Sequence, residues 1–86
     1  MTNPIDRILA LVKARVNPKE KRKWINAVAK LGGKILESDL QYAVAEFTGD
    51  ESHVQDILKT LKPFGILEFE QTGHIAIERG KKVINV

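Results

Sequence analysis

From Ile8 to Val16 every second residue is apolar: Ile8, Ala10, Val12, Ala14 and Val16. The residues between them run from Leu9 and Leu11 to Lys13 and Arg15. This two-residue period predicts a strand with one fully apolar face and a second face that begins apolar and ends charged. The period then changes. Asn17-Pro18-Lys19-Glu20 reads as a helix start, with a capping Asn, a Pro suited to the first turn and a Glu three positions after the cap. Trp24, Val28 and Leu31, with Ile25 and Ala29 beside them, form a helical stripe that Gly32-Gly33 ends. A short strand follows at Lys34 to Ser38, turning at Asp39 into Leu40 to Thr48. There Tyr42 and Val44 point one way and Ala43, Ala45 and Phe47 the other. Gly49-Asp50-Glu51 opens a second helix, with Val54, Ile57, Leu58 and Leu61 at core spacing, stopped by Pro63 and Gly65. Ile66 to Glu70 is a fourth strand, with Leu67 and Phe69 on its apolar side.

The order is β-α-β-β-α-β. Right-handed crossovers through both helices turn it into an α+β plait of the ferredoxin-like kind, an antiparallel four-stranded sheet with both helices on one face. The other sheet face is left open, and its residues are not uniformly polar; a second copy of the chain is the simplest occupant. A C-terminal extension follows the fourth strand. Its residues, Gln71 to Gly80 and then Lys81 to Val86, suit a fifth strand or a short helix equally.

At 86 residues, with no linker or low-complexity stretch, the chain is one domain, 1–86. Without cysteine it has no disulfide, thiolate metal site or cysteine nucleophile. The net charge of +3 and a pI near 9.3 are mildly basic, short of a chain built around phosphate neutralisation. The longest apolar runs, such as Ile8 to Val12, fall far below the roughly 20 residues a membrane span needs. The N-terminus shows no basic stretch followed by an apolar block, so no signal peptide is expected and the cytoplasm is the expected location.

Candidate chemistry is sparse. His53 stands in the first turn of the second helix and His74 follows Gly73; neither belongs to a metal-binding spacing, so both read as surface residues. Ser38 and Ser52 lie in no nucleophile elbow. The pairs Glu37/Asp39 and Glu68/Glu70 each share one side of a strand and would suit acid–base work only if buried. Gly32-Gly33 follows a helix, where a phosphate loop would precede one. Lys19-Glu20-Lys21-Arg22-Lys23 is the strongest charge cluster and reads as a solvated helix face, with phosphate contact as the alternative. The strand around Tyr42 offers one outward aromatic, with Glu46 on the same face, a poor platform for stacking RNA bases. No enzyme, cofactor, metal or nucleic acid is expected.

Leu61-Lys62-Pro63-Phe64-Gly65-Ile66-Leu67-Glu68, followed by Thr72-Gly73-His74-Ile75-Ala76-Ile77-Glu78-Arg79-Gly80, resembles the C-terminal signature of the small, regulatory subunits of acetolactate synthase (acetohydroxyacid synthase). Asp6 to Lys13, Gly33 to Glu37 and Glu46 to Gly49 are similar to earlier motifs of the same domain, in the same order. Gln71 departs from the family's usual Arg, and His74 from a common Lys. The resemblance implies an ACT-like plait corresponding to that subunit's C-terminal domain. The N-terminal ACT domain that holds the feedback amino acid is absent, so the chain is either a fragment or a naturally short member. The implied role is a non-catalytic regulatory domain in branched-chain amino acid biosynthesis. It would act as a homodimer and contact the thiamine-diphosphate-dependent catalytic (large) subunit. The residues implied in subunit contact are Gly65, Thr72, Gly73, Ile75, Ala76, Arg79 and Gly80. The alternatives are a stand-alone amino-acid-sensing ACT-like module or an RNA-binding plait.

Overall fold

The computed structural model describes residues 4–80. Strand β1 (Ile5–Arg15) leads through a 3₁₀ turn at Pro18–Glu20 into helix α1 (Lys21–Lys30). The hairpin β2 (Lys34–Ser38) and β3 (Tyr42–Gly49), helix α2 (Glu51–Leu61), β4 (Ile66–Gln71) and β5 (Ile75–Ile77) follow. The sheet order is β2-β3-β1-β4, every pairing antiparallel, with β5 also paired to β1. The expected plait is therefore present, with a fifth strand where the sequence pattern was ambiguous. Lys81 to Val86, the rest of that extension, lie outside the described residues.

The period of two sorts β1 as expected. Ile8, Ala10, Val12, Ala14 and Val16 are buried, and they meet Ala43, Ala45 and Phe47 of β3. Trp24 and Val28 of α1 and Ile57 and Leu61 of α2 close the core over that face. The Trp24 ring stands edge-on to Phe64, centroids 5.3 Å apart. Side chains cap the 3₁₀ turn before α1 and the start of α2. Asn17 Oδ1 accepts from the Glu20 N–H at 3.1 Å, and Asp50 Oδ1 accepts from the His53 N–H at 2.8 Å. At the end of α1 the Gly33 N–H reaches back to the Val28 carbonyl at 2.9 Å, while Gly32 takes φ +74°.

Five local expectations are corrected. The Asn17 cap serves the 3₁₀ turn, so α1 itself begins at Lys21. Ile25 and Ala29 are exposed, because the stripe that meets the sheet runs through Trp24, Ala27, Val28 and Leu31. β1 begins at Ile5, three residues before the apolar alternation starts, and β3 begins at Tyr42, after a turn closed by the Asp39 N–H on the Tyr42 carbonyl. Leu67 does not share a side with Phe69. The β1–β4 register slips between Ala14↔Ile66 and Lys13↔Glu68, so Ile66 and Phe69 face the core and Leu67 is the extra residue, 48% exposed. The β2–β3 register slips likewise at Leu36. Both bulges lie in strands flanking the β3–β1 centre, where they interrupt a flat sheet edge.

β5 does not lie beside β4; it continues β4's line along β1. Ala10↔Gln71 ends the β4 pairing, and Arg7↔Ile75, Asp6↔Ala76 and Ile5↔Ile77 make the β5 pairing. β3 stops opposite Ile8, so Ile5–Arg7 and β5 form a two-stranded arm reaching past the main sheet. The molecule is correspondingly long, 50 × 23 × 16 Å, with a radius of gyration of 15.4 Å. A compact chain of this length has about 12 Å.

Candidate functional site

The two halves of the C-terminal signature land in different places. Its first half is structural. Leu61 is fully buried, Phe64 packs on Trp24, and Gly65 turns the chain at φ +89°. The Gly65 carbonyl accepts from the Arg15 N–H at 2.8 Å, which ties the start of β4 to the end of β1. Gly65 thus stands at one end of β4 and Thr72 beyond the other, roughly 20 Å away along the strand. The structure does not bring Gly65 together with the other implied contact residues.

The second half builds the arm. Thr72 exchanges two hydrogen bonds with Leu9: its N–H donates to the Leu9 carbonyl at 2.9 Å, and its Oγ1 accepts from the Leu9 N–H at 3.0 Å. A side-chain oxygen there replaces the carbonyl a regular ladder would supply, so the chain can kink and still stay attached to β1. Gly73 and Gly80 have open space about them. Ile75 and Ala76 are both exposed, Ile75 by 71% and its strand mate Ile77 by 66%. Arg79 lines a polar cleft of about 400 Å³ with Pro4, Asp6, Arg7 and Asp50.

The register places Ile5, Ile75 and Ile77 on the side of β1 that carries Leu9 and Leu11. That is the open face of the sheet. Leu9 and Leu11 are 38% and 39% exposed, and an apolar run extends from the main sheet onto the arm. Beyond Leu11 the face becomes charged. Lys13 Nζ lies 3.4 Å from Glu68 and 5.6 Å from the centre of the Tyr42 ring, and Glu46 and Glu70 flank Leu11 across the strands. Glu37 beside the Tyr42 hydroxyl raises the phenol's pKa, chiefly through a hydrogen bond.

Sequence reasoning missed a cluster on the opposite side of the arm. His74 Nδ1 lies 2.7 Å from Asp6 Oδ2, and its Nε2 lies 3.7 Å from Glu51 Oε2. The Asp6 hydrogen bond, with the charge of the same carboxylate, raises the His74 pKa above its usual 6.5. Glu51 adds to the rise and partial desolvation opposes it. His53 is not a free surface residue either: its Nε2 donates to the Leu31 carbonyl at 2.8 Å, tying the start of α2 to the end of α1. Partners 68 and 22 positions away leave no local signal for either histidine.

The remaining candidates are accounted for more simply. Glu37, Asp39, Glu68 and Glu70 are all exposed, so neither carboxylate pair has the burial that acid–base work would need. Lys21 of the basic cluster donates to Ser38 Oγ and the Asp39 carbonyl, both at 2.6 Å, and pins α1 to the β2–β3 turn. Among the described residues, no group of His, Cys, Asp and Glu is placed to hold a metal ion, and no helix is long and apolar enough to cross a membrane.

Comparison with known proteins places this architecture. The sequence profile of the family described as the small subunit of acetolactate synthase matches residues 7–80. The acetolactate synthase small subunit of Mycobacterium leprae is 33% identical over 82 residues, 95% of this chain and 48% of that protein. That of Aquifex aeolicus is 32% identical over 76 residues, 87% of this chain and 40% of that one. The crystal structure of the acetolactate synthase small subunit from Thermotoga maritima superposes with a TM-score of 0.83 at 29% identity, covering 93% of this chain and 49% of that one. The chain spans about half the length of these relatives. It belongs to the acetolactate synthase small-subunit family.

Proposed function

We propose that this chain is a non-catalytic regulatory domain, equivalent to the C-terminal domain of an acetolactate synthase small subunit. It dimerises through the open sheet face and presents the β5 arm to a thiamine-diphosphate-dependent catalytic subunit in branched-chain amino acid biosynthesis. The family match across residues 7–80 carries this reading, and it favours the subunit role over an amino-acid sensor or an RNA-binding plait. The exposed isoleucines support the choice of surface. Ile75 and Ile77 are held out from the fold on a ribbon paired to β1, a costly display of apolar area unless something covers it. A regulatory domain needs no chemistry of its own. It needs only to bind two states of its partner with different affinity, typically by ~1–3 kcal/mol.

The test is co-elution of the full chain with purified cognate catalytic subunit on size exclusion, with acetolactate formation measured alongside. The expected result is a complex that changes the catalytic subunit's activity and that Ile75→Asp with Ile77→Asp disrupts while the fold is kept. Arg79→Ala with Thr72→Val should weaken it. A folded chain that never co-elutes, or a complex indifferent to all four changes, would overturn the assignment of the arm as the contact.

A further inference from the structure

The arm is attached at its root by backbone pairing and the Thr72 side chain, and His74 ties its side. Asp6 belongs to the face of β1 that carries Ile8 and Ala10, but it lies past the last residue that β3 covers and lines a cleft with Asp50, the cap of α2. His74, in the connection between β4 and β5, fills that position. One ring nitrogen is bonded to Asp6 of β1 and the other faces Glu51 of α2. Three elements distant in sequence therefore meet at one imidazole. The Asp6 carboxylate is half satisfied: Oδ2 has His74, while Oδ1 is buried and accepts no hydrogen bond. The Asp50 carboxylate nearby is committed to capping α2, and Arg7 Nη1 donates to the Asp6 backbone carbonyl at 2.7 Å.

We propose that His74 is a proton-dependent latch that holds the β5 arm, with Ile75 and Ile77 on it, against β1 and the start of α2. The protonated ring donates to Asp6 and presents a positive Nε2–H to Glu51, so both attractions act. The neutral ring has a single N–H. If it stays on Nδ1, a bare lone pair faces the Glu51 carboxylate; if it moves to Nε2, the Asp6 bond is lost. Either way two carboxylates remain near each other, with Asp50 close by; among the described residues, Arg7 and Arg79 of the adjoining cleft offset them. The backbone contribution is too small to hold the ribbon alone. β5 contributes three residues, and an isolated two-stranded ribbon is marginal in water.

The sign follows from linkage. The folded-state pKa of His74 lies above its unfolded value, so the latch contributes fully below about pH 6.5 and is lost as pH rises through the folded-state midpoint. The arm should loosen on the alkaline side of that midpoint while the rest of the sheet stays closed.

The experiment pairs a ring-proton NMR titration of both histidines with hydrogen exchange of the full chain, each amide corrected for its intrinsic rate. The expected result is a His74 midpoint above 6.5. Protection of Ile75–Ile77 should fall as pH crosses that midpoint, while protection of β3 stays flat. His74→Gln should give an arm whose protection is low and independent of pH. Asp6→Asn should lower the His74 midpoint and remove most of the pH dependence, and Glu51→Gln should remove a smaller part. Flat arm protection while His74 titrates, or an unchanged fall in His74→Gln, would overturn the latch. A fall shared equally by β3 would also overturn it, because it would mark a global loss of stability.

Discussion

Trp24 is fully buried among Val12, Phe64 and the facing residues of β3, yet its indole Nε1 is buried without an acceptor. The side chain serves the core by volume and by its edge-on contact with Phe64, and its polar atom contributes nothing favourable. Trp24→Ala should cost about 3–5 kcal/mol in urea unfolding, the usual loss for a large aromatic. Trp24→Phe should cost clearly less, since it removes an unsatisfied donor together with part of the ring. Equal losses for the two would show that the indole nitrogen has a partner. Gly33 makes the complementary point. A Cβ there would come within 2.3 Å of the buried Phe47 ring and 2.9 Å of the Glu46 carbonyl. Gly33→Ala should destabilise by roughly 1–3 kcal/mol through displacement of Phe47, seen as a drop in Tm with an unchanged denaturant slope. Gly33 looks from sequence like half of a helix stop, but the reason it is glycine is the ring of a residue fourteen positions later.

The elements that the sequence shows plainly are those whose period comes from facing the core. β1, β2, α2 and the buried stripe of α1 follow directly from where Ile8 to Val16, Ile35, Val54 to Leu61 and Trp24 to Leu31 fall. Features set by a partner strand are invisible locally. The bulges at Leu36 and Leu67 exist only relative to β3 and β1, and each turns out a leucine that alternation alone would bury or pair wrongly. β5 is short, apolar and exposed, so it carries no amphipathic signature, and its mate Ile5–Arg7 lies about seventy residues earlier. The arm's attachment can be tested as an element. Thr72→Val keeps the shape of the side chain but removes the acceptor for the Leu9 N–H, while Thr72→Ser keeps the acceptor. The valine variant should lose about 1 kcal/mol of local stability. Faster hydrogen exchange confined to Leu9 and the arm, with serine close to wild type, is the expected pattern. Equal exchange in the two variants would mean that the backbone ladder alone holds the kink.

At the scale of the whole molecule, the fold leaves too much of itself outside. The accessible surface is 6626 Å², whereas a compact monomer of 9.7 kDa exposes about 5,100 Å². The core is one layer deep, lined by alanine at Ala10, Ala14, Ala43 and Ala45, and the opposite sheet face carries Leu9 and Leu11 in contact with water. A small core combined with an open apolar face is relieved by association, and the proposed homodimer makes this quantitative. Because pairing stabilises only the folded state, Tm should rise with protein concentration across a hundredfold range. Leu11 is the position at which to break the pairing. It lies opposite Glu46 on one side and Glu70 on the other, so Leu11→Lys places a cation between two carboxylates and should change the monomer's stability by no more than about 0.5 kcal/mol. The same change puts a charge at the main-sheet end of the apolar run, where a second sheet face would have to desolvate it. The variant should sediment as a monomer, and its Tm should no longer depend on concentration. A wild-type chain that sediments as a monomer at every concentration would overturn the homodimer, and a Leu11→Lys chain that sediments as the wild type does would place the dimer contact elsewhere. The open face, continuous with the arm through Leu9, Ile75 and Ile77, would then be assigned wholly to the proposed contact with a catalytic subunit.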